Sequence, residues 1–145
     1  MVPARDAITF RPLDDPGLAR AWDELADELS APPFARHRWF EIWSRAYGVP
    51  VEVAAYGSGA LEGLVPVVRR GRSFVAPVNE ESPGFQLLAA SPEARLGLMS
   101  GVLAQGPLHF RRMGESDLAV LEVAAGRRSL ERARTTAGGS GSRRW

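Results

Sequence analysis

Cysteine is absent from this chain of 145 residues, and so is lysine. The first absence excludes disulfides, thiolate metal sites and a cysteine nucleophile. The second leaves arginine, 18 residues in all, as the basic side chain beside two histidines. No stretch approaches the roughly 18 uninterrupted apolar residues that a membrane helix needs, so no membrane insertion is expected. The N-terminal MVPARDAITFRPLDDPG carries Arg5, Asp6 and Arg11 and no apolar run. It reads as neither signal peptide nor anchor, and a cytoplasmic location is the expectation. A glycine-rich phosphate loop, a nucleophile elbow and a metal-ligand cluster are also lacking. No metal and no catalytic residue is therefore assigned.

What is present belongs to a globular domain: 45% of residues are apolar and 24% charged. A chain of this length buries about two-thirds of its unfolded surface, enough for a core of its own. The net charge of +1 conceals an asymmetry. Residues 1–126 hold 12 arginines against 16 acidic residues, net −4, whereas residues 127–145 hold six arginines against one glutamate, net +5. The positive charge sits in the tail and not on the body, which disfavours nucleic acid as a partner.

Apolar and polar residues alternate from Ala7 to Leu13, which predicts a first strand. Asp15-Pro16 then offers a capping carboxylate and a proline suited to the first helical position. Leu18, Trp22, Leu25 and Leu29 fall on one face of a helix that Pro32-Pro33 ends. A second helix is expected over Arg36 to Tyr47, with Gly48 as its left-handed stop. Val51 to Ala55 and Leu61 to Val68 predict a hairpin around Gly57-Ser58-Gly59, with Pro66 at a bulge or an edge. Ser73 to Val78 predicts a further strand. Ser91-Pro92 repeats the capped start for a helix closed by Gly106-Pro107. Leu108 to Met113 and Leu118 to Val123 read as the last strands, joined by a turn over Arg111 to Ser116.

The order β-α-α-β-β-β-α-β-β predicts an α+β domain with a mixed or antiparallel sheet and flanking helices. A domain over residues 1–126 is expected, then a basic, Gly/Ser-rich flexible tail over 127–145 holding one helical turn or two.

The helix bearing Trp22 and Leu25 is followed by Pro33-Phe34 and by the Trp39 and Trp43 pair that leads to Tyr47-Gly48. The strand Gly63-Leu64-Val65-Pro66 comes next, and Ser82-Pro83-Gly84-Phe85 later. This series resembles the N-terminal half of GNAT-like acetyltransferases of the cellulose-biosynthesis type, relatives of the FemAB aminoacyltransferases. It spans roughly residues 8–126. The resemblance implies a GNAT-like fold, acetyl-CoA or acyl-CoA as donor for the full-length family, and a small amine or sugar acceptor.

The family's donor-gripping signature, Q/R-x-x-G-x-G/A, has no good counterpart. The nearest string, Arg111-Arg112-Met113-Gly114-Glu115-Ser116, ends in serine and puts an anionic Glu115 inside a phosphate cradle. The expectation is a truncated N-acyltransferase, an incomplete domain that is inactive alone and binds no CoA. A partner chain that supplies the missing half is a corollary. The alternative is a non-catalytic binding or interaction domain that retains the fold.

Four residues are candidates for a substrate pocket. Trp39 and Trp43 offer aromatic faces that stack on a sugar ring, although such a pair also serves to pack a helix. Glu80 and Glu81 form a carboxylate pair in a turn, suited to deprotonating an acceptor amine or simply to solvation. His37 and His109 have no partner at metal spacing, and Ser91 is best used as a helix cap. Arg127, Arg128, Arg132 and Arg134 suit either a solvated face or a phosphate contact.

Overall fold

The computed structural model describes residues 8–136 and 142–144, with side chains from 8 through 126. Strand β1 (Ile8–Pro12) gives way to helix α1 (Pro16–Glu28) at Asp15. The Asp15 Oδ1 accepts from the Gly17 and Leu18 amides at 3.0 and 3.3 Å, satisfying two donors that a helix start leaves unpaired. Helix α1 buries Leu18, Trp22, Leu25 and Ala26. One 3₁₀ turn, Pro33–Ala35, redirects the chain into α2 (His37–Tyr47), which ends where Gly48 adopts φ 64°.

Strands β2 (Glu52–Tyr56), β3 (Gly63–Arg70) and β4 (Ser73–Val75) follow as an antiparallel run, with β1 paired to β2. Residues 76–87 leave the edge of β3, and β5 (Leu88–Ala89) rejoins it opposite Gly63 and Leu64. Helix α3 (Pro92–Gln105) then crosses to β6 (Leu108–Arg111), which lies parallel to β4. Helix α4 (Glu115–Thr136) and β7 (Ser142–Arg144), antiparallel to β6, complete the order β1-β2-β3-β4-β6-β7. The domain is α+β, a mixed sheet flanked by helices.

Side chains alternate across a strand, so Leu64, Pro66, Val68 and Arg70 share one face of β3. Val65, Val67 and Arg69 share the other. Helix α3 covers the second face: Gly101 backs onto Ile8 and Gly97 onto Tyr56, which pair with each other across β1 and β2. Helix α2 flanks the first face, beside Val68 and Arg70. A line of aromatic rings ties the layers together. Trp22 lies 5.6 Å from Phe40, Phe40 lies 6.5 Å from Phe85, and Phe85 lies 5.2 Å from Phe110.

Two expectations change and a third is met only locally. Leu118 to Val123 is not a strand but the second and third turns of α4. Leu121, Ala124 and Ala125 recur at helical spacing and are buried, and α4 packs on α3. Arg111 to Ser116 accordingly leads from a strand into a helix and not from strand to strand. Pro66 lies within a strand paired on both sides, yet its own outer edge is free. The strand bonds β5 through Gly63 and Leu64 and β4 through Val68 to Arg70, so residues 65–67 have no ladder partner on that side.

The helix beginning at Glu115 also continues past Gly126 to Thr136, just under three turns where one or two are expected. The side chains of Arg127, Arg128, Arg132 and Arg134 lie outside the described ones, as does the Gly/Ser run over 137–141. Among the described residues no helix is long and apolar enough to cross a membrane.

The close approach of α3 to the sheet gives a test. In an exposed helix, glycine to alanine stabilises by roughly 1 kcal/mol. At Gly101 an added Cβ falls on the inner Cγ1 of Ile8, not on a flexible tip. Overpacking of this kind costs about 1–3 kcal/mol, enough to reverse the sign. Gly101→Ala is expected to lower the urea midpoint, with an unchanged m-value.

Candidate functional site

Helix α2 has two apolar faces. Phe40 points into the core, 1% exposed, while Trp39 is half-buried against that core. Trp43 and Tyr47 continue along the outer side with ring centroids 5.4 Å apart. Ile42 and Tyr47 are about half exposed, at 50% and 52%. Exposure of this much apolar surface on one helix is unusual for a face that only packs.

A cavity of about 330 Å³ opens along this outer face. Trp39, Trp43 and Tyr47 line one side and Asn79, Glu81 and Ser82 the other. The fold thus brings Trp39 and Trp43 together with Glu81 from a distant turn. Glu80 does not reach the cavity; its carbonyl oxygen accepts from Arg112 Nη2 at 2.9 Å.

The turn is held firmly. Asn79 Oδ1 accepts from the Glu81 amide at 3.0 Å, and Ser82 Oγ accepts from the Asn79 amide at 3.0 Å. Side-chain bonds of this kind fix turn geometry without any secondary structure. They set Glu81 at the mouth of an aromatic wall.

Trp43 carries the clearest irregularity. Its Nε1 is buried and has no hydrogen-bond partner, the one such side-chain atom among the described residues. Buried indole N–H groups normally find an acceptor, and leaving one unmet costs about 1–3 kcal/mol. By contrast, Trp22 Nε1 donates to the Ala35 carbonyl at 3.0 Å.

The two histidines part company. His37 is buried beside Trp22, and its Nε2 donates to the Leu13 carbonyl at 2.7 Å. A carbonyl only accepts, so this ring is a structural tie between α2 and the end of β1. His109 is exposed on β6 and borders a neighbouring cavity. Ser91 caps α3, accepting from the Ala94 amide at 3.1 Å. Among the described residues no three His, Asp or Glu side chains cluster as metal ligands.

A separate polar cavity of about 350 Å³ lies at the start of α4, between Phe85–Leu87 and Arg112–Gly114. Phe85 and Met113 form an isolated parallel bridge between these two segments. Asp117 occupies the opening: one oxygen accepts from the Leu87 amide at 3.1 Å, the other from Arg95 Nη1 at 2.7 Å. Neither residue stood out in the sequence, because the partners lie 30 and 22 positions away.

No family model, no curated protein and no solved structure matches this chain.

Burial pushes the Asp117 carboxyl above its usual value, against the opposing pull of Arg95 and the Leu87 amide. A raised value means the folded chain binds this proton more readily than the unfolded chain does. Its contribution to stability is therefore full below the ordinary aspartate value of 3.8 and is lost as pH rises through the folded value. The difference in unfolding free energy between wild type and Asp117→Asn isolates this group. That difference is expected to fall as pH is raised from 3.8 and then to level off, measured by urea unfolding across a pH series. A difference that climbs with pH means that the pair with Arg95 outweighs burial.

Proposed function

We propose that this chain is the acceptor-side unit of a GNAT-like N-acyltransferase, with an amine or amino-sugar acceptor held between Trp39, Trp43 and Glu81. One observation carries the reading. The aromatic wall on α2 and the carboxylate of a turn 38 positions beyond Trp43 border the same cavity. Aromatic faces take the C–H side of a sugar ring or the charge of an ammonium. A carboxylate beside them holds that ammonium and stands where it accepts a proton from it. The strand order also supports the reading. Two helices fall between the first two strands, and an antiparallel run is followed by a helical crossover to a parallel strand.

The donor is a different matter. An acyl-CoA pyrophosphate needs several free backbone N–H groups at a helix start. Helix α3 opens on Ser91-Pro92: the serine oxygen already takes the Ala94 amide, and proline has no N–H to give. No glycine lies between Gly84 and Gly97 to let a phosphate approach. Helix α4 opens with Glu115 and the buried Asp117, two carboxylates in its first turn. The Leu87 amide on the neighbouring edge is already bonded. The described residues do not fit CoA, so no donor step is derived from them. In this reading the donor site belongs to a second unit.

Two measurements on the isolated chain test it. Glucosamine is expected to bind about tenfold more tightly than N-acetylglucosamine, whose amide offers no charge to Glu81. Acetyl-CoA supplied with glucosamine is expected to release no CoA. Equal affinity for the two sugars, or no binding of either, removes the acceptor site. Steady release of CoA overturns the assignment of the donor to another unit.

A further inference from the structure

The aromatic cavity does not stop at Tyr47. A second cavity of about 480 Å³ adjoins it, and Trp43, Tyr47 and Asn79 line both. Val68, Val75 and Val78 line its floor, on the side of the sheet that α2 flanks. Each cavity alone is of the size that takes a small ligand. Together they form one groove with the Trp43–Tyr47 pair at its middle.

Charge is divided along that groove. Glu81 lines the first cavity, which no guanidinium borders; Arg70 and Arg111 line the second, which no carboxylate borders. Arg70 is exposed at the end of β3. Arg111 gives one donor to the Val78 carbonyl at 3.3 Å, and its planar fork has others. A neutral sugar uses neither end, and a simple amine uses only one. A ligand matched to the whole groove carries a positive group, a body with an apolar face, and a negative group.

We propose that the groove binds an anionic amino sugar: ammonium at Glu81, ring against Trp43 and Tyr47, and a phosphate or carboxylate toward Arg70 and Arg111. This rests on the amine site proposed above and adds to it a second, anion-selective end. Selection then works by charge at both ends, while the apolar middle supplies contact that is tolerant of the sugar's substituents.

Titration of intrinsic tryptophan fluorescence in the 145-residue chain tests it, with glucosamine 6-phosphate, muramic acid, glucosamine and glucose 6-phosphate as probes. At least one of the two anionic amino sugars is expected to bind about tenfold more tightly than glucosamine. The tighter of the pair identifies phosphate or carboxylate as the anion. Arg70→Ala is expected to erase that preference and leave glucosamine unchanged. Glu81→Gln is expected to weaken every amine by about tenfold while the fold persists, because Glu81 is exposed.

Glucosamine binding as tightly as both anionic forms overturns the inference and leaves the amine site standing. Failure of glucosamine and of both anionic forms takes the amine site with it. Glucose 6-phosphate matching glucosamine 6-phosphate, or a preference that survives both Arg70→Ala and Arg111→Ala, also overturns it. So does a concentration-dependent dimer that Tyr47→Arg dissolves, because the groove would then be filled by a second copy.

Discussion

The indole of Trp22 sits with no exposed surface where α1, the 3₁₀ turn and α2 meet. Its N–H reaches the Ala35 carbonyl at 3.0 Å, its face lies against Phe40, and its ring meets His37 edge-on at 5.3 Å. Arg36, just before α2, adds bonds to the Ala31 carbonyl at 3.1 Å and to Asp27 of α1 at 2.6 Å across the Pro32-Pro33 link, whose prolines donate no hydrogen bonds. Loss of one large buried ring costs about 3–5 kcal/mol, a large share of a small domain's margin. The position of α2, and with it the outer row Trp39, Trp43 and Tyr47, follows from this contact. A groove on an outer face thus depends on packing done on the inner one.

The opposite face is closed by different means. Arg69 bonds both oxygens of Glu52, at 2.8 and 3.2 Å, and its guanidinium lies 5.2 Å from the Phe10 ring and 4.8 Å from the Phe74 ring. Those rings stack 5.2 Å apart. A planar cation above aromatic faces with both forks engaged is a rigid arrangement. Glycines in α3 then allow the helix to lie close on the same side. The sheet is held stiffly on one face, which leaves the other free to carry an unfilled surface.

Features set by neighbours in sequence were legible. Asp15 and Ser91 cap helices because an acceptor two or three positions from a free amide needs nothing distant. Gly48 ends α2 because left-handed backbone suits glycine. The segment Leu118 to Val123 was misread because LAVLEV satisfies alternation as well as helical spacing. Only the burial of Leu121, Ala124 and Ala125 beside α3 decides between them. Trp39, Trp43 and Glu81 were legible as residue types, but their meeting was not, since a turn and a helix are joined there by the whole intervening sheet. Arg70 gave no signal among 18 arginines, and Arg111 stood out only as the start of a string unlike a phosphate loop. Asp117 gave none because its worth lies in a backbone amide 30 positions earlier.

Pro66 shows how a sheet can divide with one unpaired donor fewer. The Ala90 amide bonds the Glu62 carbonyl, so even-numbered residues of β3 turn their peptide groups toward the edge that β5 and β4 share. Between those two partners the edge has no ladder partner, and any other residue at position 66 would turn an unpaired N–H toward it beside the carbonyl that the residue keeps. The imino acid has no hydrogen there to strand. The twelve-residue excursion over 76–87 that brings Asn79, Glu81 and Ser82 up to the aromatic helix thereby leaves one unpaired donor fewer on β3. The ring of one proline lets a strand change partners in mid-course.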